Sequence, residues 1–65
     1  MILNMEKIRI AAARKCYTMT ETFKEAHMSV VTVKRIKDGK EINTKTAGKL
    51  AAALGVDIVE LLASD

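Results

Sequence analysis

Apolar residues recur at helical spacing along most of the chain, and each stretch is bracketed by residues that start or stop a helix. After Asn4, which can cap a first helix running to about residue 15, Met5, Ile8, Ala11 and Ala12 share one side, while Glu6, Arg9 and Lys15 are left for solvent. Ala11-Ala12-Ala13 favours helix and permits close packing. Thr18-Met19-Thr20-Glu21 has the form of a capping box, in which hydroxyl and carboxylate each satisfy an orphan amide, and predicts a short second helix over about residues 19–26. Ser29 is expected to cap a third helix that ends at Gly39. The β-branched run Val30-Val31-Thr32-Val33 would also suit a strand, but the caps at both ends decide for helix, with Val33 and Ile36 facing inward. Thr44 is expected to cap a fourth helix with Ala47, Leu50, Ala51 and Leu54 on one face, stopped by Gly55. Asp57-Ile58-Val59-Glu60 is a second capping box, opening a short last helix that carries Leu61 and Leu62. The pattern predicts an all-α fold, a compact bundle of about five short helices forming a single domain over residues 1–65.

Composition narrows what such a domain can do. A chain of 65 residues buries only about 60% of its unfolded surface, so a roomy pocket of oriented catalytic groups would compete with the core for residues. No paired-carboxylate, triad or phosphate-loop pattern is present, and the expectation is a protein that is not an enzyme and uses no cofactor. One Cys and one His cannot build a disulfide or a structural zinc site, leaving hydrophobic packing to hold the fold. Cys16 and His27 are read as structural, and the scattered Met1, Met5, Met19 and Met28 as core filling or surface contact. No apolar run approaches the roughly 18 positions of a membrane span, and residues 1–6 lack a basic leader, so the expected compartment is the cytoplasm.

The charge is modest in sum and uneven in distribution. The net charge is +3, yet residues 29–40 hold Lys34, Arg35, Lys37 and Lys40 against Asp38 alone, while residues 41–65 hold two bases and four acids. A solvated helix face would give the same cluster, but a concentration of this kind also suits an anionic partner. The cluster lies on the third helix and just past its end, following Ala26-His27-Met28-Ser29, which has the spacing of the turn in a helix-turn-helix unit. In that geometry Thr22 or Phe23, Ala26, Met28, Val33 and Ile36 are buried between the two helices, and the opposite face of the third is free to enter a DNA major groove.

From Ile8 to Leu62 the ordered series of pieces resembles the Cro/repressor-type helix-turn-helix regulators, the XRE family, and in particular the very small members associated with bacterial mobile elements. The matching residues are Ile8-Arg9, Thr18 and Glu21, Ala26, Met28-Ser29, Thr32-Val33, Arg35-Ile36, Gly39-Lys40, the segment from Thr46 to Asp57, and Ile58, Leu61 and Leu62. The resemblance implies a lambda-repressor-like domain that binds double-stranded operator DNA and regulates transcription, with repression by occupancy as the expected mode. Departures from the family pattern are Met19 in place of a glutamine, Thr22-Phe23 in place of Leu-Ala, His27 in place of the turn glycine, and Ala11-Ala12 in place of Leu-Arg. Met19 cannot donate the hydrogen bonds of glutamine, and His27 must enter the left-handed region that glycine accepts more readily.

The candidate DNA-binding residues are Ser29, Val30, Val31, Thr32, Lys34, Arg35, Lys37, Lys40 and Thr44. Arg35 is suited to a bidentate contact with guanine O6 and N7, and Val30 and Val31 to thymine methyls, unless either valine is core. Lys34, Lys37 and Lys40 suit phosphate neutralisation, since a flexible ammonium acts as a point charge. Ser29 and Thr44 are caps first, though a capped helix start also offers amides to a phosphate. Ile58, Val59, Leu61 and Leu62 are either core or the face of a weak homodimer through the last helix. The rival reading from a different class is a protein-interaction module, an antirepressor or adaptor, that keeps the fold and binds little or no DNA.

Overall fold

In the computed structural model, which describes residues 1–63, four α-helices and a closing 3-10 turn follow one another along the chain. They are α1 (Met5–Arg14), α2 (Met19–Glu25), α3 (Val30–Lys37), α4 (Thr44–Leu54) and the 3-10 turn (Ile58–Leu61). The fold is an all-α bundle, as the pattern predicts, with the last element tighter than an α-helix. No helix among the described residues is long and apolar enough to cross a membrane.

Each helix begins under a side-chain cap. Asn4 accepts from the amides of Glu6 and Lys7, Thr18 and Glu21 form the capping box of α2, and Ser29 accepts from Thr32. Asp57 and Glu60 form a second capping box at the 3-10 turn. For α4 the cap is Asn43, whose Oδ1 accepts from the Thr46 amide at 2.7 Å, and Thr44 is the first helical residue instead of the cap. The correction has a simple cause: asparagine is the better cap, and its oxygen sits one residue earlier, within reach of the third helical amide.

The four α-helices also end alike. Cys16, His27, Gly39 and Gly55 lie in the left-handed region, at φ 60°, 56°, 71° and 67°. At each, its amide and the next reach back to the last turn: Cys16 to Ala13 and Tyr17 to Ala12, His27 to Lys24 and Met28 to Phe23, Gly39 to Ile36 and Lys40 to Arg35, Gly55 to Ala52 and Val56 to Ala51. These are Schellman stops, which satisfy orphan carbonyls while turning the chain. Two are occupied by residues with a Cβ, so the turns after α1 and α2 carry backbone strain that the other two lack.

The core is built from α1, α2 and α4, which contribute Ile8, Ala11, Ala12, Phe23, Ala47, Leu50, Ala51 and Leu54, with Ile36 from α3 and Leu61 from the 3-10 turn. Thr22 is fully buried, and its hydroxyl donates to the Thr18 carbonyl at 2.9 Å, so the departure at Thr22-Phe23 is absorbed without an unpaired polar group. No buried side-chain polar atom among the described residues lacks a partner.

One feature has no counterpart in the sequence pattern. Residues 1–4 run between the α3–α4 connection and residues 61–63. Met1 and Ile42 exchange backbone bonds of 2.7 and 2.8 Å, the Asn4 amide donates to the Leu61 carbonyl, and the Ala63 amide donates to the Ile2 carbonyl. Leu3 and Leu62 form an isolated antiparallel bridge, the Lys7 ammonium donates to the Leu62 carbonyl at 2.9 Å, and Leu3 and Ile42 are core residues.

Candidate nucleic-acid interface

α3 is held to the bundle along one narrow side. Ile36 is its sole fully buried residue, with Val33 half-buried beside it. The helical period then fixes where the rest must lie. Val31 and Lys34 fall opposite Ile36, at the centre of the outer face. Val30 and Lys37 flank that centre on the side of α2, and Arg35 on the other.

The two valines resolve an open question. Val30 is 85% exposed and Val31 70% exposed, so neither is core. Two adjacent β-branched residues thus stand in water at the start of a helix, next to its Ser29 cap. Ser29 Oγ lies 3.0 Å from Thr32 Oγ1 and also accepts from the Thr32 amide at 3.2 Å. Thr32 is half-buried in this arrangement and acts as part of the cap rather than of the outer face.

The bases differ in what they touch. Lys34, Lys37 and Lys40 are exposed, and no ion pair joins them to an acid among the described residues. Arg35 is exposed too, but one guanidinium nitrogen donates to the Glu41 carbonyl at 3.0 Å. That bond uses one of five donors, leaving the remainder of the fork for another acceptor. On α1 the opposite holds: Arg9 pairs with Glu6 at 3.5 Å and Arg14 with Glu60 at 3.4 Å. Such exposed pairs contribute little to stability, yet they neutralise the arginine charge of α1 where that of α3 is left unbalanced. Three bases in the last turn of α3, with no acid in its first, also sit favourably on the helix dipole.

Thr44 is exposed at the first position of α4 and is not on α3. Between them lies a notch of about 250 Å³ lined by Thr32, Arg35, Glu41, Ile42, Asn43 and Thr46. Asn43 and Thr46 are absent from the sequence-derived set, and the signal that would have placed Asn43 there is its rank above threonine as a cap. On the other side of α3, Met19, Thr20 and Lys24 of α2 share a trough with Val30 and Lys37. The spacing of Met19, Thr20 and Lys24 along one side of α2 is the signal for that grouping, visible only once the crossing of the two helices is known.

His27 adopts the left-handed conformation that the turn requires and stays exposed. In the last element Leu61 is fully buried, which takes it out of any self-association face; Val59 is 66% exposed there, with Ile58 and Leu62 half-buried against the core.

The chain matches no protein-family model, and neither the curated proteins nor the solved structures give a match.

Proposed function

We propose that this protein is a sequence-specific DNA-binding regulator of transcription that works in the cytoplasm, places α3 in the major groove of an operator and represses by occupancy. The observation that carries the reading is the bare Val30-Val31 pair at the start of α3, followed on the same outer surface by Lys34 and Arg35. Methyl groups in that position match thymine methyls, the free part of the Arg35 fork matches guanine, and the lysines match flanking phosphates. The resemblance to small Cro/repressor-type regulators supports the same reading. A single α3 reads few base pairs, and a net charge of +3 limits non-specific attraction. Two subunits on half-sites about 10–10.5 bp apart therefore supply the affinity. Their contact through Val59 and its neighbours is small, so the free protein associates weakly.

The test is binding of purified protein to fragments of the DNA upstream of its own gene, and to random DNA, at two salt concentrations. Sequence-selective, salt-dependent binding is expected, and two half-sites should bind more tightly than one. Lys40→Ala should weaken binding on all sequences alike and shrink the salt slope by about one unit. No binding to any duplex would overturn the reading in favour of an interaction module.

A further inference from the structure

Beside the outer face of α3 lies a trough of about 430 Å³ between α2 and α3. Its floor is apolar, formed by Met19, Phe23, Met28 and Val33, with Val30 at one end. The polar residues on its rim are Thr20, Lys24 and Lys37, and no acid among the described residues lines it. The volume is in the range of about 300–1,000 Å³ typical of ligand sites, but the trough opens along two helices and does not enclose a chamber. We propose that it receives an acidic amphipathic helix from another protein, and that this occupant and operator DNA exclude one another. The exclusion rests on the DNA-binding reading above, because Val30 and Lys37 belong to both surfaces; the docking itself does not.

The physical case has three parts. The span from Val30 to Lys37 covers two helical turns, which matches a guest helix with apolar anchors at i, i+3, i+4 and i+7. Two methionines in the floor supply a soft surface that adapts to such anchors. The lysines select the charge: carboxylates flanking the guest's apolar stripe would meet Lys24 and Lys37, neither of which has an acid partner among the described residues. A second copy of this chain fits poorly. Its large exposed apolar residues outside α3 are, among the described residues, Ile2, Ile10 and Val59, which lie on three separate segments, so no one helix offers the apolar stripe two turns long that the trough would take.

The experiment titrates the full chain with three synthetic peptides of about 14 residues. All share Leu and Phe at i, i+3, i+4 and i+7 and differ in flanking residues: Glu and Asp, Gln, or Lys. Binding is followed by methyl and aromatic NMR shifts without DNA, then by displacement of a labelled fragment of the DNA upstream of the protein's own gene. The acidic peptide is expected to bind roughly tenfold more tightly than the glutamine peptide and to shift Met19, Phe23, Met28 and Val33. Lys24→Glu, a change at an exposed residue outside the DNA-binding set, should erase that preference. Equal binding of all three peptides, shifts elsewhere, or concentration-dependent self-association that shifts the same groups would overturn the proposal. Peptide binding in a protein that ignores DNA would leave the docking standing and remove the DNA reading. Peptide and operator bound together would overturn the exclusion.

Discussion

α3 and α4 start and stop by the same means and put their side chains to opposite use. Ser29 and Asn43 each accept the amide three residues ahead, and Gly39 and Gly55 each turn the chain in the left-handed region. Between those ends α4 buries Ala47, Leu50, Ala51 and Leu54, whereas α3 buries Ile36 alone. Caps and stops therefore define that a helix exists, and the number of apolar positions on one side defines whether it builds the core or displays a surface. α4 is a structural element; α3 is carried by the structure and presents valines and bases outward.

The largest expected effect that tests this contrast is in α4. Leu50→Ala should destabilise the fold by about 2–5 kcal/mol, because it removes a fully buried side chain and leaves a cavity. Val31→Ala, at an exposed position of α3, should shift stability by no more than about 0.5 kcal/mol. Chemical denaturation of both variants checks the pair, and a comparable loss at Val31 would break the comparison. Next is Arg35→Ala, expected to cost about 1–3 kcal/mol of specific operator binding. Its bond to the Glu41 carbonyl is exposed, so the melting temperature should change little. Equal loss on random and specific DNA would assign Arg35 to phosphate instead.

Asn43→Ala should cost about 1 kcal/mol of stability through the lost cap, and Thr44→Ala close to nothing. The reverse order in thermal melts would restore Thr44 as the cap. The smallest effect is a gain: His27→Gly relieves roughly 1–2 kcal/mol of left-handed strain against roughly 0.5–1 kcal/mol of added chain entropy. A rise of a few degrees in melting temperature is expected, and a fall would mean that the imidazole contributes more than its backbone costs.

These contrasts also mark what was legible in the sequence. The caps at Asn4, Thr18, Ser29 and Asp57 and the glycine stops were readable because each is decided within a few residues. The outward direction of Val30 and Val31 was not, since burial depends on what packs against the helix. The left-handed Cys16 carried no signal, because nothing in cysteine favours that conformation. The fold of Arg35 onto Glu41 and the trough beside Lys24 depend on how neighbouring elements cross. The bridge between Leu3 and Leu62 joins residues almost a chain length apart, and no local pattern announces it.

That bridge bears on the order of folding. Helices form from neighbours in sequence within about a microsecond, but Met1 pairs with Ile42 across a separation of 41 residues, and Leu3 with Leu62 closes a ring around nearly the whole chain. Ring closure carries an entropic cost that the helices cannot offset until they have collapsed on one another. The bundle is therefore expected to assemble from the middle outward, with residues 1–4 zipped onto Ile42 and residues 61–63 last. Contacts absent from the transition state slow unfolding when they are strengthened and leave the folding rate nearly unchanged, so these pairings act as the latch that sets how long the folded state persists.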